Sequence, residues 1–380
     1  MNFKEEEFRN INYDDCITNI TSSIEKYYSR FYDGIKPRYK TNKIIDSYLE
    51  SKEYKNVIIF LFDAMGHDIL KKNLKEKAFL RINEVGVTHS TYPPTTANCT
   101  TAFITGQNPI ETGWIGWSTY FKDLGICVDN YPNVDVLTKQ KLSIDRLAYR
   151  ELPIKPLGER IEEASMGEVK YYDIHCKLGN GGIKSINAWI KKIKNLCNEP
   201  GKKYIYVYWN NPDAIMHTYG TKNIHSKLCL NKINRLMKRF YKNTNDTFSI
   251  VTADHGMVDV SAILFYKYDD IKAMMKCAFT CDARTVFFFV KDEYKDKFED
   301  VFNKHFGDCF YLKKKDEVID NHIFGYGEEN PKFKDLIGDF VGFAYGNKYL
   351  LQSEFGHVFK GHHAGLLKEE IEIPIIILEK

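Results

Sequence analysis

The chain has 380 residues, enough for one large domain with an insertion or for two domains. At 43% hydrophobic and 28% charged it has the balance of a soluble globular protein, and a net charge of +3 is too small to argue for a nucleic-acid polymer as partner. Nine cysteines without a Cys-x-x-Cys pair, a charged start and no apolar run of membrane-spanning length predict a reduced, cytoplasmic protein with no membrane partner.

Residues 1–50 read as helical and polar, with no chemistry to assign. Asn56 to Phe62 is a continuous apolar run, as expected for a strand buried on both faces, and Asp63 follows it directly. Pro93-Pro94-Thr95-Thr96-Ala97-Asn98 opens a Thr-rich segment that ends at Thr105-Gly106, and Trp114 and Trp117 come next. A helical pattern covers Ile183 to Cys197. A strand follows at Tyr204 to Tyr208, then the turn Asn211-Pro212-Asp213 and His217. Another helical pattern, His225 to Asn243, precedes a strand at Phe248 to Thr252, after which comes Asp254-His255-Gly256. Residues 260–354 mix strand-like and amphipathic stretches. Gly361-His362-His363-Ala364-Gly365 then leads into a last apolar strand, Ile373 to Leu378. Alternating strand and helix signals predict an α/β fold with a mainly parallel central sheet and helices on both faces. The expected division is an N-terminal helical segment (1–50), a core (51–259 and 355–380) and an inserted α+β cap (260–354).

Functional residues of open α/β sheets collect at the carboxyl ends of strands. Asp63 and Asp254 each stand just past an apolar run, and Asp213 stands after a short polar turn. Asp213 and His217 are four residues apart, which on a helix places both on one face, within reach of a single metal ion. Each side chain also has an ordinary reading. Asp63 could cap a helix, Asp213 could start one, and Asp254-His255 could be a plain turn. His362 competes with His363, and Thr95 competes with Thr96. A Thr hydroxyl acts as a nucleophile only when a base or metal activates it. Trp114 and Trp117 suit a stacking surface for substrate or an aromatic core equally well.

Taken in order, these segments resemble the alkaline phosphatase superfamily, most closely its type I phosphodiesterase/nucleotide pyrophosphatase branch. The likeness rests on Phe62-Asp63, Thr96 ten residues before Gly106, Asp213 to His217, Asp254-His255-Gly256 and the Gly361–Gly365 loop. It implies an alkaline phosphatase-like fold and a hydrolase of small-molecule phosphoesters with two divalent metal ions. Asp213, His217 and His363 would hold one ion. Asp63, Asp254 and His255 would hold the other, with Thr96 as nucleophile bridging toward it. Mixed Asp and His ligation suits zinc, with manganese or iron as alternatives. The chain departs from the pattern in three places. Ala364 replaces a Gly, Thr112-Gly113 replaces a His-Gly, and Trp117 stands where the branch has an Asn that binds a substrate oxygen. Asn98 is the nearest substitute for that Asn. The Cys-or-Ser nucleophile signature of sulfatases is absent, which disfavours sulfate esters. The rival readings are a phosphonate or phosphomonoester hydrolase on the same site, and a metal-stabilised binding protein without turnover.

Overall fold

The computed structural model describes residues 3–176 and 182–380. Strands β1 (Asn56–Phe62), β2 (Glu84–His89), β3 (Val169–His175), β4 (Lys202–Trp209), β5 (Thr247–Thr252) and β6 (Glu372–Glu379) form one sheet in the order β2-β6-β5-β1-β4-β3. β1, β3, β4 and β5 run parallel, while β6 is antiparallel to both β2 and β5. Every residue of β1 and β5 is buried; β1 accordingly reads as an unbroken apolar run from Val57 to Phe62, whereas β5 also buries Thr247, Ser249 and Thr252. Register does the next step of the work. Phe62 lies opposite Trp209, and Leu61 lies opposite Thr252. The chain segments that carry Asp63, Asp213 and Asp254 therefore leave the sheet at the same end.

Helices cover both faces. Alternate residues of a strand point to opposite sides. Phe60 meets Trp189 and Phe240 edge-on, whereas Tyr204, on the neighbouring strand, packs against Tyr28 and Tyr171. The layer on the Tyr204 side includes α1 (Ile17–Ser29), α2 (Thr96–Thr105) and α3 (Leu157–Ala164). The opposite layer includes α4 (Ile186–Asn198), α5 (Asp213–Tyr219) and α6 (Ile224–Lys242). In α1 the buried Ile17, Ile20, Ile24, Tyr27 and Tyr28 recur at helical spacing and seat the N-terminal segment on the sheet. α2 ends at Gly106, whose φ of 70° supplies the left-handed turn that closes many helices.

A second sheet of seven strands is antiparallel throughout. It combines Thr280–Cys281, Thr285–Phe288, Phe310–Lys314 and Phe340–Ala344 with Ser118–Phe121, Ile126–Asp129 and Val134–Asp135. Three of its strands thus come from outside residues 260–354. Phe288, Phe298, Phe302, Phe306 and Phe340 fill the space between this sheet and the helix Lys295–Phe306. No helix among the described residues is long and apolar enough to cross a membrane.

Candidate active site

The ends of β1, β4 and β5 bring Asp63, Asp213, Asp254 and His255 together with His217 and His363. The loops approach one another closely at glycines. A Cβ on Gly66 would meet the Gly256 Cα at 2.5 Å, and one on Gly256 would meet the Glu369 carbonyl at 2.0 Å. Only residues without side chains let the Asp63 and Asp254 turns pack this tightly.

Each carboxylate keeps one oxygen unspent. Asp63 accepts a hydrogen bond from the Tyr208 hydroxyl on Oδ2, and Asp254 accepts the Ala64 and His255 backbone N–H groups on Oδ1, both at 3.0 Å. Oδ1 of Asp63, Oδ1 of Asp213 and Oδ2 of Asp254 are buried without a hydrogen-bond partner. The imidazoles are arranged in the complementary way. Nδ1 of His217 lies 2.8 Å from the Gly361 carbonyl, Nδ1 of His255 lies 2.8 Å from that of Gly256, and Nδ1 of His363 lies 3.0 Å from that of Pro94. A proton on each Nδ1 leaves each Nε2 lone pair facing the carboxylates, as metal-ligating histidines require.

Two groups result. Asp213, His217 and His363 form one, with Nε2 atoms 3.3 and 3.7 Å from Asp213 Oδ1. Asp63, Asp213 and His255 form the other, and Asp254 Oδ2 is 3.6 Å from the same His255 Nε2. Asp213 belongs to both. Either group offers the donor set of a divalent cation. Electrostatics point the same way. Burial, followed by the charges of Asp254 and Asp213, pushes the Asp63 carboxyl well above its ordinary range. Burial and the neighbouring imidazoles hold His363 well below the usual histidine value. Among the described residues, no Lys or Arg pairs with these three carboxylates. Metal ions fit these residues because they would supply the missing positive charge and the missing partners at once.

Thr96 is the first residue of α2, and its hydroxyl lies 3.2 Å from His255 Nε2. Thr95, one residue earlier, turns away and donates to Asp282 Oδ2 at 2.6 Å. A cavity of about 810 Å³ opens from Thr96, Asp213, His217 and His363 toward the second sheet. Trp117 lines it. Trp114 does not. It is fully buried, donates its indole N–H to the Leu152 carbonyl and packs on Tyr131 and Tyr149. Asn98 is likewise turned inward, tied to the Pro93 carbonyl at 2.7 Å, and does not line the cavity. Trp114 and Asn98 therefore do not touch the space where a substrate would sit.

Several cavity residues carry no sequence motif. Asp282 comes from the second sheet, and burial raises its carboxyl to about 6, against the opposing pull of the Thr95 hydroxyl. Asp129 and Lys139 form a 2.7 Å ion pair on the same wall. Nothing in the local sequence singles these residues out, because tertiary folding alone brings them to the cavity. Two neighbours fix the loops without reaching it. Thr285 donates to the Ala364 carbonyl at 2.5 Å and shares a 2.6 Å hydrogen bond with Tyr92. Arg284 grips Glu370 through two 2.7 Å hydrogen bonds, and Glu370 in turn accepts the Gly365 N–H.

The family model for type I phosphodiesterase/nucleotide pyrophosphatase matches residues 57–337. The chain belongs to that family. Members of the type I phosphodiesterase family hydrolyse phosphoric ester bonds, so this chain is a hydrolase of that class. A search of curated protein sequences finds no match. Solved structures share the fold. Murine ectonucleotide pyrophosphatase/phosphodiesterase 5 aligns with a TM-score of 0.63 at 18% identity, covering 86% of this chain and 88% of its own. An inactive threonine-to-alanine variant of the murine protein, solved with AMP, aligns with a TM-score of 0.59 at 19% identity over 85% and 87% of the two chains. Phosphonoacetate hydrolase from Sinorhizobium meliloti 1021, in complex with phosphonoformate, gives 0.61 at 14% identity over 86% and 90%.

Proposed function

We propose that this family member is a two-metal phosphodiesterase or nucleotide pyrophosphatase that works through Thr96. The observation that carries the reading is the set of three unspent carboxylate oxygens facing three imidazole Nε2 atoms, with a Thr hydroxyl beside them. His217, His363 and Asp213 would hold one ion. Asp63, Asp254 and His255 would hold the other, with Asp213 close enough to touch both. When bound, the ions supply positive charge that acidifies the Thr hydroxyl and offsets charge on the phosphoryl oxygens and the departing alkoxide. Zinc suits this mixed donor set, and manganese or iron would also fit.

The chain's own groups do the rest. Thr96 Oγ1 loses its proton to solvent and bonds to phosphorus as the P–O bond to the leaving alcohol breaks. The product is a phospho-threonine, and the alcohol departs with the bonding electron pair and takes up a proton. Water then attacks phosphorus from the vacated side and restores Thr96. The positive end of the ten-residue helix α2 faces this reaction and favours the phosphoryl charge. Asp282 fixes the residue before Thr96, which holds the nucleophile's backbone in place. The murine relative made inactive by a threonine-to-alanine change supports the choice of a threonine, and its AMP complex supports a nucleotide-like substrate. The Thr95–Asp282 hydrogen bond favours Thr96 over Thr95. All nine cysteines are free thiols, which supports a cytoplasmic setting.

Diester preference follows from charge. Arg284 is spent on Glu370, and Lys139 is spent on Asp129, so no free side-chain cation adjoins Thr96 among the described residues to compensate a monoester dianion. The rival on the same site is a phosphonate hydrolase, which the likeness to phosphonoacetate hydrolase favours. One experiment tests the reading. Metal-loaded protein and its Thr96→Ala variant are assayed on a nitrophenyl diester, nitrophenyl phosphate and phosphonoacetate. The diester should be hydrolysed fastest, the variant should be inactive with unchanged metal content, and acid quench should trap phosphate on Thr96. A variant that still turns over removes Thr96 from the mechanism. Faster cleavage of phosphonoacetate moves the substrate class.

A further inference from the structure

At its inner end the cavity is lined by Thr96, by Asp213, His217 and His363, and by two groups the proposed mechanism leaves without a direct part, Asp282 and His362. Both oxygens of Asp282 are occupied, by the Thr95 hydroxyl and by the Ala283 N–H at 2.6 Å. His362 differs. Its Nδ1 accepts the His363 backbone N–H at 2.9 Å. The His363 carbonyl is 3.1 Å from the same nitrogen, but a proton placed on Nδ1 to meet it would take away the acceptor at which the His363 N–H is aimed, and that N–H has no other partner among the described residues. Asp282 Oδ1, 3.8 Å from Nδ1, is beyond hydrogen-bond reach. The ring proton therefore sits on Nε2. That atom has no partner among the described residues, nor is it among the buried polar atoms left unpaired, so it opens on the cavity.

The ring is also held rigidly. Its centroid lies 5.1 Å from that of His217, 5.2 Å from those of His363 and Tyr349, and 5.4 Å from that of Phe359. This is a fixed neutral N–H beside the Asp213, His217 and His363 group, on the side of the cavity that faces the second sheet. A phosphodiester seated against Thr96 has two non-bridging oxygens. A preorganised neutral donor stabilises one of them without competing for the metal ligands, and such a donor strengthens its bond as charge grows in the transition state.

We propose that His362 is a substrate-contacting catalytic residue whose Nε2–H donates to a non-bridging oxygen of the phosphodiester. The inference rests on the phosphodiesterase reading of the same cavity. It makes His362 a hydrogen-bond donor and leaves metal binding to its neighbour His363.

The test compares His362→Phe and His362→Gln, metal-loaded, with orthovanadate as the probe. Phe fits the aromatic surround of Tyr349 and Phe359, and Gln restores a donor at the same reach. Both variants should keep the wild-type metal content. His362→Phe should bind orthovanadate roughly tenfold more weakly and lose roughly 10²-fold in kcat on the diester. His362→Gln should recover most of both. Loss of one metal ion from either variant would make His362 a ligand and overturn the inference. So would wild-type vanadate affinity in His362→Phe, or a Gln variant no better than Phe. Trp117→Phe, which removes the indole N–H of another residue of the lining, should change vanadate affinity less than threefold, and a larger loss there would give the role to Trp117. Failure of the underlying reading looks different: Thr96→Ala would retain turnover while the vanadate order among the His362 variants stayed as stated.

Discussion

The two sheets end in opposite states of polar satisfaction. At the carboxyl end of the central sheet, Asp63, Asp213 and Asp254 each leave a buried oxygen without a partner. On the second sheet, Asp282 in the cavity wall and Arg284 and Thr285 behind it are engaged with Thr95, Glu370 and the Ala364 carbonyl. Burial of an unpaired carboxylate oxygen is costly, and a bound cation would offset that cost for all three at once. The difference separates what binds from what holds. The central sheet offers the charge, and the second sheet fixes the loops that carry Thr96 and His363.

The sharpest way to break this contrast is to remove the carboxylate common to both groups. Asp213→Ala should lower bound metal at both positions and reduce diester turnover by roughly 10³-fold or more, read by elemental analysis beside kinetics. His217→Ala should cost mainly one ion. Equal metal content in the two variants would show that Asp213 is not shared. On the holding side, Arg284→Met leaves Glu370 as a buried charge without its partner. It should lower unfolding stability by about 3–5 kcal/mol in a denaturant titration. A loss below about 1 kcal/mol would mean that the second sheet does not anchor the Gly365 loop. Next in size, Thr95→Val removes the hydroxyl held by Asp282. It should lower kcat by roughly tenfold with KM and metal content unchanged, because the effect runs through the placement of Thr96. An unchanged kcat would separate Asp282 from the nucleophile. The smallest change is expected from Trp114→Phe, which should cost about 1–2 kcal/mol of stability and leave kcat within twofold, since its indole hydrogen-bonds Leu152 far from the chemistry.

The same contrast marks how far the sequence can be read. β1, β4, β5 and β6 are buried on both faces over most of their length, so each is rich in apolar residues and its end can be located to within two residues. Asp63, Asp213, Asp254 and His255 stand just past those ends and are legible for that reason. β2 and β3 are the sheet edges. Their mixed sequences, Glu84–His89 and Val169–His175, alternate exposure and give no apolar run to find. Asp282 is less legible still. It follows a two-residue strand, and its partner Thr95 lies far away in sequence. Trp114 and Asn98 fail for a related reason. A tryptophan or an asparagine near a nucleophile has the same letters whether it faces substrate or core, and only packing tells the two apart. The second sheet is wider than residues 260–354 because antiparallel pairing joined them to Ser118–Phe121, a strand from before the interruption.

β6 comes after every other strand in the sequence yet lies inside the sheet, between β2 and β5. Until it arrives, β2 has no strand neighbour in that sheet, β5 is open on one side, and the slot between them exposes unpaired backbone N–H and C=O groups. His363 and Glu370 belong to the same closing segment. A ribosome-bound chain that stops short of residue 360 therefore lacks both the wedge that joins two parts of the sheet and one of its six proposed ligands. One segment, residues 361–380, thus carries both the strand that closes the sheet and His363.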